Sequence, residues 1–500
     1  MKNKKTHNNR QWLTIIGVVS VMIVIGLGLF FYHNFFRQTH GHLVETIPSD
    51  ALYILQLNDN ENFVKSSTQL LPYLNDILAM DALPGFEFFM DKFPSRQGGV
   101  VISCHHNGDQ KRLLLSTRVT ESMFKELLKI LRIDDRNFIP FDNVRIYSYG
   151  THYKKFNFTF HNNFFSISED VELLKKSIVQ LKHPRNLLAN KNFSSLYNQV
   201  ILKNNKQNWL ILNNKNYFED LKHFLDDHYQ SLGNHLGEMS EWSAFLIRLY
   251  DKEISLSGYT LDQTLFFRKF DRQEPVAGIP THIIPFSSNF YIAVKTPDPE
   301  RFIENIRNNC ENCNENAMDY YRAIEPTASY YFNIRRDTLM YRFLALETDT
   351  GKHSMEDLLP DSLSQREEIK FQQYTIYKSK PGNFNSLLSI LHQRAPMNYF
   401  LEYEGYYIFS DTTTSLQHYI QNISKSSLEN QPLYKFSKTN IPTSNNFEFC
   451  FLLPEQENRR YYSSASASNT PIIKGIQVLS YSFSAPEKGF VPLNVYIKFK

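Results

Sequence analysis

Phe156, Phe158 and Phe160 stand at every second residue with Lys155, Asn157 and Thr159 between them. That period sends alternate side chains to opposite faces of a strand, so one face is expected to be buried and the other wet. A different rhythm follows within a few residues. Asn163-Phe164-Phe165-Ser166-Ile167-Ser168-Glu169 runs into Leu174, Ile178 and Leu181 at helical spacing. The pattern predicts a strand, a Ser with an acidic neighbour as helix N-cap, and an apolar stripe facing the sheet.

The same unit recurs. Gly405-Tyr406-Tyr407-Ile408-Phe409-Ser410-Asp411 leads into Leu416, Ile420 and Ile423. Ile167 and Phe409, Leu174 and Leu416, and Ile178 and Ile420 all stand at one constant spacing, which points to an internal duplication. Ile47-Pro48 leads into Tyr53, Leu55 and Leu57, as Ile284-Pro285 leads into Phe290, Ile292 and Val294. Helices are expected after both, near Asp59-Asn60-Glu61 and at Asp298-Pro299-Glu300. Val144 to Tyr147 matches Tyr374 to Tyr377, and Trp209 to Leu212 is paired with Phe449 to Leu452. Between two of these blocks the second repeat carries about twelve more residues, assigned to a helical segment at Leu387 to Leu391. Hairpins are expected over Leu246 to Leu261 and Ile476 to Phe499, each closing a half. Short polar turns such as Asn162-Asn163 and Glu404-Gly405 favour antiparallel pairing.

A separate apolar run, Leu13 to Tyr32, follows Lys2, Lys4, Lys5 and Arg10. About 20 residues at roughly 1.5 Å each would span a bilayer core. The run exceeds a signal-peptide core of about 7–15 residues, and no small-residue cleavage site follows it. The expectation is therefore a retained anchor with its basic tail cytoplasmic. The expected organisation is a tail over 1–12, a transmembrane signal anchor over 13–36, a spacer over 37–46, repeats over 47–270 and 284–500, and a link over 271–283. In class this is α+β: an N-terminal transmembrane helix, then two related repeats of mainly antiparallel sheet with helices packed on one face. The expected location is the inner membrane, single-pass, with the large domain periplasmic.

The start Ile47-Pro48-Ser49-Asp50-Ala51, placed after an anchor and before two similar halves, resembles a family of functionally uncharacterised single-pass bacterial envelope proteins. The resemblance implies an exported, membrane-tethered α+β ectodomain. That family has no established catalytic residues, so none carries over.

Charge changes the picture little. The chain has 54 Lys and Arg against 51 Asp and Glu, a formal net charge of +3, which offers no one-sign field for nucleic acid. Its 40 Phe and 29 Tyr suit strands that bury rings. The four cysteines of an exported domain are read first as disulfide candidates. Cys310-Glu311-Asn312-Cys313 has redox spacing, but it follows a helix over Arg301 to Asn308 and so lacks the N-terminal dipole that lowers a thiol pKa. A structural or incidental role is expected there, with metal or redox chemistry the alternative. In Cys104-His105-His106 only Cys104 and His106 would share a strand face; a surface histidine pair is expected.

Other chemical signals fail on context. Ser122-Met123-Phe124-Lys125 has Ser-x-x-Lys spacing and Lys438-Thr439-Asn440 loosely matches a Lys-Thr-Gly strand. Yet Phe124, Leu127, Leu128 and Leu131 mark the first as a packed helix. Asn58 to Asn62 imitates a calcium loop, with Phe63 where glycine belongs. Catalytic residues are left unassigned, and no cofactor or metal is expected. Two functions stay open: a binding, scaffold or chaperone-like envelope protein with a protein or apolar partner, or an envelope hydrolase or cell-wall enzyme.

Overall fold

The structure, a computed structural model, describes residues 42–58, 99–108, 110–150, 154–182, 186–221, 237–250, 252–309, 315–336, 339–348, 355–380, 397–452 and 476–500. The first half of the chain contains β1 (Tyr53–Leu57), β2 (Val100–Asn107), β3 (Gln110–Arg118), α1 (Glu121–Ile130), β4 (Ile139–Phe141) and β5 (Val144–Gly150). It continues with β6 (Lys155–His161), β7 (Phe164–Ser168), α2 (Val171–Lys182), β8 (Trp209–Asn213), β9 (Trp242–Tyr250), β10 (Glu253–Leu261) and the helical turn α3 (Leu265–Arg268). The second half has β11 (Val276–Ala277), β12 (Ser288–Lys295), α4 (Pro299–Asn309), β13 (Ala328–Arg336), β14 (Leu339–Glu347), β15 (Glu368–Phe371), β16 (Tyr374–Lys378) and β17 (Tyr399–Tyr403). It closes with β18 (Tyr406–Ser410), α5 (Thr413–Ile423), α6 (Pro432–Lys438), β19 (Ser444–Asn445), β20 (Phe447–Leu452), β21 (Ile476–Phe483) and β22 (Phe490–Phe499).

These residues fall into two compact units. One holds the described residues within Met1–Ser49, Leu83–Ile102 and Arg112–Asn190, the other those within Asp50–Ala82, Ser103–Lys111 and Lys191–Lys500. In the first unit an antiparallel ladder runs β3, β7, β6, β5, β4. Asp142-Asn143 and Asn162-Asn163 close its hairpins with φ positive at both residues, the geometry a two-residue turn needs. α1 lays Phe124 on Phe160 and Tyr147, at centroid distances of 4.9 and 5.7 Å. α2 covers the other face, where Leu173, Leu174 and Ile178 pack with Leu114, Val144 and Ile146. That face also buries Asn157 and Thr159. The expectation that they are wet is therefore corrected: Asn157 donates to Glu169 O at 3.2 Å and Thr159 to Arg145 O at 2.9 Å, so the polar groups enter the interior already satisfied.

In the second unit the antiparallel order is β1, β8, β9, β10, β22, β21, β20, β12, β13, β14, β18, β17, β16, β15. The β14, β18, β17, β16, β15 portion repeats the order of the first unit's ladder, and β1, β8, β9, β10 has the order of β12, β20, β21, β22. One face is covered by α5, whose fully buried Leu416, Tyr419 and Ile420 join a core with Phe332 and Phe343. At about 1.5–3 kcal/mol per large apolar side chain removed from water, these residues explain why α5 docks. The opposite face carries Phe447 and Phe483, covered by Phe266, Phe267 and Phe270 of the α3 segment. Residues 271–283 are tied in as well, because Val276 and Ala277 pair with Asn445 and Ser444.

Two expectations are corrected here. The expected class began with a transmembrane helix and placed helices on one face. Among the described residues no helix is long and apolar enough to cross a membrane. The longest of them, α2, has 12 residues, against the roughly 20 that a bilayer core requires. The run 13–36 lies outside the described residues, so the single-pass inner-membrane placement with a periplasmic domain has no support in this structure. Helices cover both faces, because both faces of these strands are apolar enough to need burial.

Candidate functional site

Six neighbouring strands of the second unit set two apolar rows side by side on one face. The ladder places Leu249, Ile254, Ile497, Leu479, Phe451 and Phe290 in one row and Ile247, Leu256, Val495, Tyr481, Phe449 and Ile292 in the next. No charged residue interrupts either row. Rings couple along the strands and across them: Phe290 to Phe451 at 4.5 Å and Phe449 to Tyr481 at 5.4 Å between centroids. Toward β12 the surface is buried, with Ile292 at 2% and Phe449 at 3% exposure. Ile247 and Leu249 of β9, Val495 and Ile497 of β22, Leu479 of β21 and Phe451 of β20 are half-buried, while Ile254 and Leu256 of β10 and Tyr481 of β21 are buried. Contiguous apolar surface of this kind marks sites of association.

The reverse side of β12, β20 and β21 belongs to the core beneath α5, through Tyr291, Ala293, Cys450, Leu452 and Val478, whereas on β10 and β22 it turns polar. Glu253, Ser255 and Ser257 of β10 lie beside Lys498, Tyr496 and Asn494 of β22. Lys498 Nζ is 3.6 Å from Glu253 Oε1 and stacks over the Phe436 ring. The hairpin over β9 and β10 is tight, since a Cβ on Gly258 would meet Ala244 O at 1.9 Å.

A buried polar network lies where β11, β12, β19 and β20 meet. Lys295, with no solvent exposure, donates to Val276 O at 3.0 Å and Asn445 Oδ1 at 2.9 Å. Asn445 donates in turn to Glu448 Oε2 at 2.9 Å, and Tyr291 OH donates to Glu448 Oε1 at 2.5 Å. Burial pulls the Lys295 amine below its usual range, while Glu448 and Glu347 oppose the shift. Burial and then Glu448 hold the Tyr291 phenol protonated well above the ordinary tyrosine range. Burial likewise raises the Cys450 thiol. These groups are satisfied and enclosed, so the network fixes the 271–283 segment against the sheet rather than meeting a substrate.

The sequence candidates are placed as follows. Cys104 and His105 are buried and His106 is exposed, so the expected surface histidine pair is corrected. His105 Nδ1 lies 2.7 Å from Asp50 Oδ1 and its Nε2 lies 2.8 Å from Ser103 Oγ. The order resembles an acyl-transfer triad. Ser103 has no exposure and His105 1%, however, which denies a substrate the hydroxyl and leaves the chain of bonds a fastening of β2 to the start of β1. Ser122 sits beside the Thr120 N-cap of α1, 2.8 Å from its Oγ1, and Lys125 pairs with Glu121 at 2.7 Å. Lys438-Thr439-Asn440 ends α6 rather than forming a strand. Cys310, Cys313, most of the Asn58 to Asn62 segment and Leu387 to Leu391 lie outside the described residues. Among the described residues no group of three or more His, Cys, Asp or Glu is placed to hold a metal. A cleft along α4 carries Asp298, Glu300, Arg301, Glu304 and Arg307, charges of both signs on a solvated helix face.

Sequence reasoning anticipated the β9–β10 and β21–β22 hairpins but not their junction. Alternating Ile247, Leu249, Ile254 and Leu256 carried the signal for one side; nothing local tells that β22 is the next strand.

No family model matches the chain, and no curated protein matches it. Solved structures of TP0453 are similar to part of it. Crystal form III aligns over 44% of this chain and 80% of its own at 12% identity and a TM-score of 0.27. Form I aligns over 45% and 80%, at 11% and 0.28. Form IV aligns over 44% and 81%, at 13% and 0.27. A likeness at that level carries no functional argument.

Proposed function

We infer that this chain is a non-enzymatic binding protein, of the scaffold or chaperone-like kind expected of an envelope protein, that holds a polypeptide partner on the β9–β10–β22–β21 face. The observation that carries the reading is the charge-free pair of apolar rows, in which Ile247, Leu249, Val495, Ile497, Leu479 and Phe451 are half-buried. Burying such side chains is worth about 25 cal/mol per Å², and the ladder beneath them supplies a rigid, preformed surface. The Lys295–Asn445–Glu448–Tyr291 network supports the reading from the other side, because its groups are buried and hydrogen-bonded to one another.

The test compares two variants in cells producing the tagged full-length protein. Ile497→Glu is expected to remove the copurifying partner while thermal melting stays close to wild type, and Ser103→Ala is expected to retain it. Loss of the cellular role in Ser103→Ala, with partner and stability intact, would favour hydrolysis through Ser103, His105 and Asp50 and overturn the binding reading.

A further inference from the structure

The polar side of β9, β10 and β22 carries rings that nothing covers. Among the described residues four Phe, Tyr or Trp side chains are exposed, and three of them frame this one surface: Tyr250 at 53%, Tyr259 at 41% and Phe436 at 38%. Tyr250 stands opposite Glu253 on β10, and Lys498 stands opposite Glu253 on the other side and lies over the Phe436 ring. Tyr259 shares the alternate positions of β10 with Glu253 and rests edge-on against Phe490, at 6.4 Å between centroids. Residues 253 to 259 span about 20 Å at the rise of a strand. Between these ends Ser257 lies beside Asn494, and Ser255 beside Arg248. Arg248 is exposed and the other three are half-buried. None of the four side chains has a hydrogen-bond or ion-pair partner among the described residues.

The ladder limits what such a strip can hold. β10 is paired along both edges, with β9 and with β22, so no strand edge is open to an extended peptide. Lys498 is matched by Glu253 at 3.6 Å, which leaves Arg248 as the one unmatched charge, too little to hold a nucleic-acid backbone. What remains is a line of hydroxyls, an amide and a guanidinium set between flat rings. A sugar ring has the complementary surface: hydroxyls at its rim both donate and accept, and the hydrogens of its apolar C–H face meet the negative face of an aromatic ring. We propose that this strip binds an extended, neutral oligosaccharide several rings long. Tyr250 and Tyr259 stack on sugar rings at its two ends, and Ser257, Asn494 and Arg248 hydrogen-bond the hydroxyls between them. The site lies on the side opposite the apolar rows, so it stands or falls apart from the polypeptide-binding reading.

The probes are cellohexaose and chitohexaose, neutral extended chains of glucose and of N-acetylglucosamine, each titrated into the full-length protein by calorimetry. Saturable binding of at least one is expected. Tyr250→Ala and Tyr259→Ala each remove one stacking ring at an exposed position, so binding should weaken about fivefold or more in each, with melting unchanged. Asn494→Ala should weaken it severalfold. No saturable binding of either sugar would overturn the proposal, as would wild-type affinity in both tyrosine variants. Tyr250→Ala should also keep the polypeptide that copurifies with the wild type; its loss would overturn the proposal by assigning the strip to that polypeptide. Should the sugars fail while Ile497→Glu still loses its copurifying partner, this inference falls and the binding reading stands.

Discussion

Lys269 closes the α3 turn with 4% exposure, and burial pushes its amine from 10.5 down to about 8. Desolvation disfavours the ammonium in the folded state only. Below pH 8 both states are protonated, and the folded protein bears the full cost of the buried charge. Between about 8 and 10.5 the unfolded chain binds more protons than the folded one, so stability rises with pH across that window. At about 1.4 kcal/mol per pKa unit, the shift corresponds to roughly 3 kcal/mol. Lys269→Met should therefore be more stable than wild type by up to about 3 kcal/mol near pH 7. The advantage should shrink toward zero by pH 10.5. Urea unfolding of both proteins at pH 7, 8, 9 and 10 measures the difference directly, and because all other groups titrate in both, the difference isolates Lys269. A gap constant with pH, or a less stable variant at pH 7, would refute the assignment of the cost to a buried ammonium.

Three further outcomes are expected from denaturant unfolding. Gly258→Ala places a methyl where Ala244 O lies 1.9 Å away; it should cost at least about 2 kcal/mol by forcing the β9–β10 backbones apart, and a change within about 0.5 kcal/mol would show that the hairpin yields freely. Ile178→Asp and Ile420→Asp bury an unpaired carboxylate at sites of 0% and 1% exposure, and each should cost about 3 kcal/mol or more, whereas Lys175→Ala should cost under about 1 kcal/mol. Asn445→Leu removes both the acceptor for Lys295 and a donor to Glu448 and should cost about 2–4 kcal/mol; a neutral result would mean that water replaces the amide.

Local rhythm made much of the architecture legible. The hairpins over β9–β10 and β21–β22, the Asp298 cap of α4, whose Oδ1 accepts from Arg301 N at 3.0 Å, and the apolar stripes of α2 and α5 follow from periods and caps within one window. Errors arose where one residue decides. The sequence pattern places the caps at Ser168-Glu169 and Ser410-Asp411. The bonds instead run to Asp170 Oδ1 from Glu172 N at 2.9 Å and to Thr412 Oγ1 from Ser415 N at 3.1 Å. The serines hold the sheet: Ser168 donates to Leu113 O at 2.7 Å and Ser410 to Arg342 O at 2.8 Å. The sequence pattern aligns Trp209 with Phe449. With Leu55 matched to Ile292, the ladder matches Leu210 with Phe449, and a slip of one residue exchanges the faces of a strand.

Ile167 and Phe409, aligned with each other by the repeat, are both fully buried. Each lies on the strand face away from its following helix, Ile167 facing Phe158 across the ladder and Phe409 facing Phe400. Burial of polar residues was invisible for a different reason. Lys295 and Glu448 read as ordinary surface charges in sequence, and only long-range partners make their burial tolerable. The apolar face itself depends on the junction of β10 with β22, a pairing far apart in sequence that no local window encodes.

The central claim concerns that face, and photo-crosslinking from single positions of the full-length protein tests it most directly. A crosslinker at position 497 should give a covalent adduct with another polypeptide, whereas one at 255, on the polar side of the adjoining strand, should give none. No adduct from 497, or the same adducts from both positions, would contradict the account.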